Sequence, residues 1–222
     1  MIKTITLTLA SLMTLSSFSL AQGDIPYSIG FKVGTLGAGV DITKPINEQF
    51  NMRLNINGGS YSDSRCESNI LYEYDMTLVT AGVLVDYYPS NNDFRVSAGA
   101  YYNGSEIDLD PQLQNMAIDI GGTNYIAGQI TSFEGLVDFD PIAPYIGIGW
   151  GNSATQKAQE WSFDVDVGLL YHGEANVELD VGCGVTDCNQ LNQNVEREKN
   201  QLLDELDYKI YPVIAFGATY RF

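Results

Sequence analysis

Trp161-Ser162-Phe163-Asp164-Val165-Asp166-Val167-Gly168-Leu169-Leu170-Tyr171-His172 carries an apolar or aromatic side chain at every odd position. Its even positions are polar or glycine, apart from Leu170. Successive side chains of a strand point to opposite faces, so this period of two is a strand with one greasy and one polar side. The odd-numbered apolar set runs on through Val181, which predicts a single register from Trp161 to Val181 and a strand that projects well beyond its neighbours. The pattern recurs. Phe50, Met52, Leu54 and Ile56 oppose Asn51, Arg53, Asn55 and Asn57. Phe94, Val96, Ala98, Ala100 and Tyr102 oppose Arg95, Ser97, Gly99, Tyr101 and Asn103, and the last dozen residues repeat the scheme.

A soluble sandwich also alternates, and three features argue against it. The apolar faces have about the 9–11 residues that a tilted strand needs to cross a bilayer. Aromatics bunch at strand ends: Tyr87, Tyr88, Phe94, Trp150, Trp161, Tyr220 and Phe222 at one, Tyr72, Tyr74, Tyr102, Tyr171 and Tyr208 at the other. Two such girdles mark two membrane interfaces. The turns also alternate in length. Residues 89–93 and 151–159 are short, whereas 61–69, 109–130 and 182–207 are long and polar. These readings together predict an all-β chain: an eight-stranded antiparallel transmembrane up-and-down barrel with a short helix in its last long loop.

Composition agrees. The 222 residues hold 22 Gly and 14 Tyr against one His, and 11 basic against 28 acidic residues, a net charge of -17 that disfavours nucleic acid as a partner. Met1 to Ala21 opens on Lys3, continues through a short apolar run and ends Ser19-Leu20-Ala21, which reads as a secretory signal peptide cleaved after Ala21. Residues 22–222 then form the barrel.

The signal, the alternating strands and the final Tyr220-Arg221-Phe222 resemble the small bacterial outer-membrane β-barrel proteins of the OmpA/OmpX/OmpW type. That resemblance implies residence in the outer membrane of a Gram-negative bacterium, among outer-membrane lipid and lipopolysaccharide. It also implies that Phe216, Tyr220 and Phe222 form the C-terminal signal read by the barrel-assembly machinery. The expected strands are Ile25–Val33, Leu36–Thr43, Gln49–Ser60, Tyr72–Tyr88, Phe94–Asp108, Ser132–Trp150, Glu160–Val181 and Tyr208–Phe222. Ile25–Thr43 reads as a tight hairpin at Gly34-Thr35 or as one bulged strand, and Asp140-Pro141 as a bulge.

Polar-face residues point inward. Arg53, Asp86, Arg95, Asp164, Asp166 and Arg221 are the candidate lumen charge network, with Lys32 and Glu134 as further candidates. Eight strands leave room for side chains but no broad aqueous pore. Charges in so narrow a lumen pair, because an unpaired buried charge is costly. The expected function is therefore a non-enzymatic barrel with a structural or surface-interaction role, plugged by Arg–carboxylate pairs; the alternative is a narrow porin-like channel for ions or small solutes.

No catalytic constellation emerges. The single His172 has Leu170 two before it and Glu174 two after, and on a polar strand face it reads as a solvated or hydrogen-bonded group. No cofactor or metal is expected, and the barrel is expected to be a monomer. Cys183 and Cys188 are the disulfide candidate, with a Cys66 pairing as the alternative. Residues 189–206 space Leu191, Val195, Leu202 and Leu206 as an amphipathic helix on the barrel rim. Acids at Asp108, Asp110, Asp119, Glu174, Glu178, Asp180 and Asp187 make that rim negative, a place for divalent cations to bridge to lipopolysaccharide phosphates.

Overall fold

A computed structural model describes residues 27–67, 70–90, 92–111, 118–126, 128–151, 160–184 and 188–222, with the side chains of 63–74, 110–111 and 118 excepted. The signal peptide, the start of the first expected strand, residues 152–159, Asp187 and the side chains of Cys66 and Asp110 lie outside this set. The thirteen strands among the described residues are β1 (Ser28–Gly34), β2 (Gly37–Pro45), β3 (Phe50–Glu67), β4 (Ile70–Tyr87), β5 (Phe94–Asn103), β6 (Glu106–Pro111), β7 (Ile118–Ile120), β8 (Thr123–Tyr125), β9 (Ile130–Phe139), β10 (Ile142–Trp150), β11 (Trp161–Tyr171), β12 (Ala175–Cys183) and β13 (Ile210–Arg221). A helix, α1 (Asn189–Glu205), precedes β13.

The ring β4-β3-β2-β1-β13-β11-β10-β5 returns to β4, so eight antiparallel strands close on themselves. Closure leaves no free edge inside a bilayer and lets every backbone group pair across the wall. β1 and β2 are joined by a two-residue hairpin whose last pair is Gly34 with Gly37. The alternative of one bulged strand is excluded. Gly37 takes a φ of +96°, which suits glycine at this turn, and Leu36 beside it is buried in the lumen.

The outer surface of the ring is apolar. Phe31, Val33, Ile42, Leu54, Ile56, Val83, Ile146, Phe163, Leu169 and Phe216 are all exposed on it. Trp161 to Tyr171 on β11 spans ten residue steps; at ~3.3 Å each and a tilt of about 40° that is roughly 25 Å, the height of an outer-membrane apolar band. At the short-turn end Phe50–Tyr87, Phe94–Trp150, Trp161–Tyr220 and Tyr220–Phe222 form ring pairs with centroids 4.9–6.1 Å apart. Tyr102, Tyr171 and Tyr208 stand exposed at the other end. Tyr88 departs from the expected girdle: it is buried, because its even position faces the lumen with Leu84 and Asp86.

Beyond the ring, β3, β4, β6, β9 and β12 continue as a five-stranded sheet. The expected polar loop 61–69 is instead an extension of the β3–β4 ladder, paired out to Glu67 and Ile70. Two expectations about register meet a mixed outcome here. Against β5 and β6 the Asp140-Pro141 step is continuous, since Ile142 pairs with Tyr102 and Asp138 with Glu106. Against β11 and β12 it carries one extra residue, since Tyr145 pairs with Leu170 and Phe139 with Ala175. The exchange of faces lies in the seventh stave, where Gly173 (φ +76°) separates β11 from β12. Odd residues such as Leu169 and Tyr171 face out below Gly173, whereas odd Val177 above it is fully buried. The run Trp161–Val181 is thus not a single face. Its apolar side faces lipid in the ring and turns inward in the extension, where water surrounds the wall and Asp108, Glu134, Glu178 and Asp180 take the exposed side.

Helix α1 packs on β12 and on the β7–β8 hairpin through Leu191, Val195, Ile120, Tyr125 and Val181. Asn194 is fully buried and donates to the Tyr125 hydroxyl at 2.6 Å. The Cys183–Cys188 disulfide ties the end of β12 to the start of the helix.

Candidate functional site

Lumen-facing positions bring seven charges of the described residues into one layer near the short-turn end. Arg53 on β3 is the hub. Its guanidinium donates to Asp86 at 2.8 Å, to Asp166 at 2.9 Å and to Ser97 Oγ at 3.1 Å, with Asp41 at 3.4 Å. Arg95 on β5 donates to Asp166 at 2.7 Å and to the Gly151 carbonyl. Lys32 on β1 pairs with Asp41 at 2.6 Å, with Asp166, and with Asp164 at 3.4 Å. Hydroxyls and amides complete the acceptors: Ser97 donates to Asp86 at 2.5 Å, Asn55 to Asp41 at 2.5 Å and Thr219 to Asp164 at 2.8 Å. Glycines on facing strands make the room. A Cβ at Gly149 would press on Arg95 and Asp166, and one at Gly217 on Asp164 and Lys32.

Of the sequence candidates, Arg53, Asp86, Arg95, Asp164 and Asp166 meet in this layer, and so does Lys32. Arg221 stands half-buried, two residues beyond Thr219 at the short-turn mouth. Glu134 is exposed on the outer side of β9, well away from the layer, because the apolar face of that sheet is the inner one. Asp41 is not among the sequence candidates, although it occupies the polar side of a strand whose apolar set is Leu36, Ala38, Val40 and Ile42. That alternation is the signal for it. Among the described residues the layer holds Lys32, Arg53 and Arg95 against Asp41, Asp86, Asp164 and Asp166: three positive charges and four negative, all buried.

Directly above lies an apolar layer that alternation conceals. Leu36, Leu84, Tyr101, Ala143, Tyr145, Leu170 and Val213 pack across the lumen, with Tyr211 against them. The Tyr101 and Tyr145 rings meet edge to face at 5.6 Å. Leu84 and Leu170 occupy lumen positions next to lipid-facing Val83, Val85 and Leu169, so these stretches read as unbroken apolar runs. A cavity of about 20 Å³ separates the two layers, and one of about 10 Å³ lies on the far side of the charges near Ser162 and Asp164. Each is on the scale of a single water.

His172 is also displaced from its expected setting. It is only 7% exposed, packs edge-on against Phe139 at 4.5 Å and faces Tyr211 at 6.5 Å. Phe216 and Tyr220 lie on the lipid side of β13, and Phe222 stacks on Tyr27 at 5.3 Å where the ring closes. Among the described residues no cluster of three or more His, Cys, Asp or Glu is arranged to hold a metal ion.

Comparison with known proteins shows the same architecture. Acinetobacter baumannii CarO2 and CarO superpose with TM-scores of 0.58, at 25% and 26% identity. They cover 89% and 91% of this chain and 99% and 100% of their own. A major outer membrane protein from Thermus thermophilus aligns over 90% of this chain and all of its own at 12% identity, with a TM-score of 0.47. No protein-family model and no curated protein matches the chain. The chain is a small outer-membrane β-barrel protein: a closed eight-stranded antiparallel barrel that presents its apolar face to lipid and its charges to the lumen.

Proposed function

We propose that this outer-membrane barrel is a non-enzymatic structural or surface-interaction protein whose lumen is plugged. The observation that carries the reading is the stacking of two closed layers, the Arg53-centred charge network and the Tyr101–Tyr145 apolar layer, with cavities of about 20 and 10 Å³ beside the charges. An ion crossing these layers must displace paired buried charges and then pass an apolar constriction, and both steps cost desolvation energy. With the lumen closed, function moves to the surface beyond the membrane: the five-stranded extension, its acidic outer face, and α1 secured by its disulfide.

In the same reading the chain reaches a Gram-negative outer membrane through cleavage of residues 1–21. The aromatic end of β13 serves as its assembly signal, and the barrel stands as a monomer among lipid and lipopolysaccharide. Closure of the ring supports the monomer within the membrane, because the ring itself leaves no strand edge there for a second copy. The lipid-side placement of Phe216 and Tyr220 supports the assembly signal.

Planar-bilayer recording of the refolded protein is the test. A closed lumen gives no sustained current. Stable single-channel steps that change when Arg53 or Asp164 is replaced would establish the narrow porin-like channel in its place.

A further inference from the structure

Above the apolar layer the lumen opens again into a cavity of about 110 Å³. Met76 and Leu78 of β4, Ile107 of β6, Phe139 of β9, Leu170 of β11 and Tyr211 of β13 line it. His172, seven per cent exposed, also lines it, and its Nδ1 is buried without a hydrogen-bond partner among the described residues. Of the other polar residues that line it, Glu106 is exposed to solvent and three are engaged in hydrogen bonds within the protein. The Tyr211 hydroxyl donates to the Thr35 carbonyl at 2.8 Å, Ser105 Oγ accepts the Val79 N–H at 3.2 Å, and Asn103 Oδ1 accepts the Ser105 N–H at 3.3 Å. A buried imidazole nitrogen left open in an apolar chamber is costly unless something fills the chamber and bonds to it.

We propose that this cavity binds a small neutral molecule with an apolar body no larger than one ring and a single hydroxyl, which hydrogen-bonds His172 Nδ1. Size comes first: about 150 Å³ of apolar cavity accommodates benzene, so 110 Å³ suits a five-membered ring or a short chain. Neutrality follows from the lining, since Leu, Met, Ile and Phe cannot repay the desolvation of a charge. A hydroxyl is the matching group because it donates or accepts, and so serves either tautomer of a neutral imidazole. Water is the poorer occupant, for each molecule needs two to four polar partners and the lining around His172 is chiefly Leu, Met, Ile and Phe. The layer of Leu36, Leu84, Tyr101 and Tyr145 is the cavity's floor, so the ligand binds there and does not pass.

The chain has one histidine, so selective ¹⁵N-histidine labelling reads this site alone. The protein, held in phosphatidylcholine nanodiscs, is titrated with cyclopentanol and separately with cyclopentane. Cyclopentanol should move the Nδ1 resonance along a saturable curve. Cyclopentane should reverse that shift by competition, with an affinity weaker by about two- to tenfold, the range a net hydrogen bond supplies. Leu78→Trp, which fills the cavity, should abolish saturation while the barrel keeps its heat-modifiable gel mobility. A linear, unsaturable drift, failure of cyclopentane to compete in the native protein, or an unchanged curve in a folded Leu78→Trp barrel would each overturn the site.

Discussion

Replacing Arg53 with Met removes the hub of the lumen and leaves the chain's shape nearly intact. The side chain makes hydrogen bonds of 2.8, 2.9 and 3.1 Å to Asp86, Asp166 and Ser97. At about 1.5–3 kcal/mol for each bond to a charged group, the two carboxylate bonds alone set an upper range of roughly 3–6 kcal/mol. The partners differ in what they keep. Asp166 retains Lys32 and Arg95, and Asp41 retains Lys32 at 2.6 Å. Among the described residues Asp86 keeps only Ser97 and the Arg95 guanidinium at 3.9 Å. The loss therefore centres on one stranded carboxylate, and breaking one side of a buried pair costs about 3–5 kcal/mol. Removing that carboxylate as well, in the Arg53→Met/Asp86→Leu double variant, should restore at least about 1 kcal/mol relative to Arg53→Met, because two apolar groups replace two coupled charges. Urea unfolding in lipid vesicles, followed through Trp150 and Trp161 on the lipid face, measures both variants. A loss under about 1 kcal/mol for Arg53→Met, or a double variant no more stable than the single, would refute the idea that these pairs hold the lumen together.

Val167 lies near the middle of the apolar band on β11. Val167→Arg should cost about 2–4 kcal/mol in the same assay. Asp180→Arg, on the water-exposed face of the extension, should cost nothing measurable; equal effects at the two sites would deny the inversion of faces at Gly173. Cys188→Ser opens the Cys183–Cys188 loop, for which chain entropy gives about 2 kcal/mol. Amide exchange should rise in α1 and the β7–β8 hairpin and stay fixed in the ring, whereas loosening throughout would show that helix and barrel form one cooperative unit. Burial holds the His172 imidazole below its ordinary pKa of 6.5, with the Asp140 carboxylate opposing the shift. The folded state then favours the neutral ring, so its contribution is complete above pH 6.5 and is lost as pH falls through the lowered folded value. His172→Phe should flatten the native protein's loss of stability between about pH 6.5 and 5; identical pH profiles would place the imidazole in water.

The eight strands of the ring, the hairpin at Gly34-Thr35, most of the lipid-facing set and a helix beginning at Asn189 were legible in the sequence, because period two and period 3.6 are local properties of a chain with two distinct solvents. Most of the charge layer was legible for the same reason: in a narrow barrel every polar-side charge has the same destination. The long run Trp161–Val181 marks where that logic ends. Its alternation is continuous in sequence, but one glycine with positive φ exchanges the faces, and the surroundings exchange with them from hydrocarbon to water. Local pattern records which residues share a side and is silent on what lies beyond that side. Tertiary structure alone set Glu134 outside and buried His172. It also stacked Leu84, Tyr101, Tyr145 and Leu170 across the lumen, since each depends on strands far apart in the chain meeting at one height. Register between distant strands, fixed by closure of the ring, decides that height.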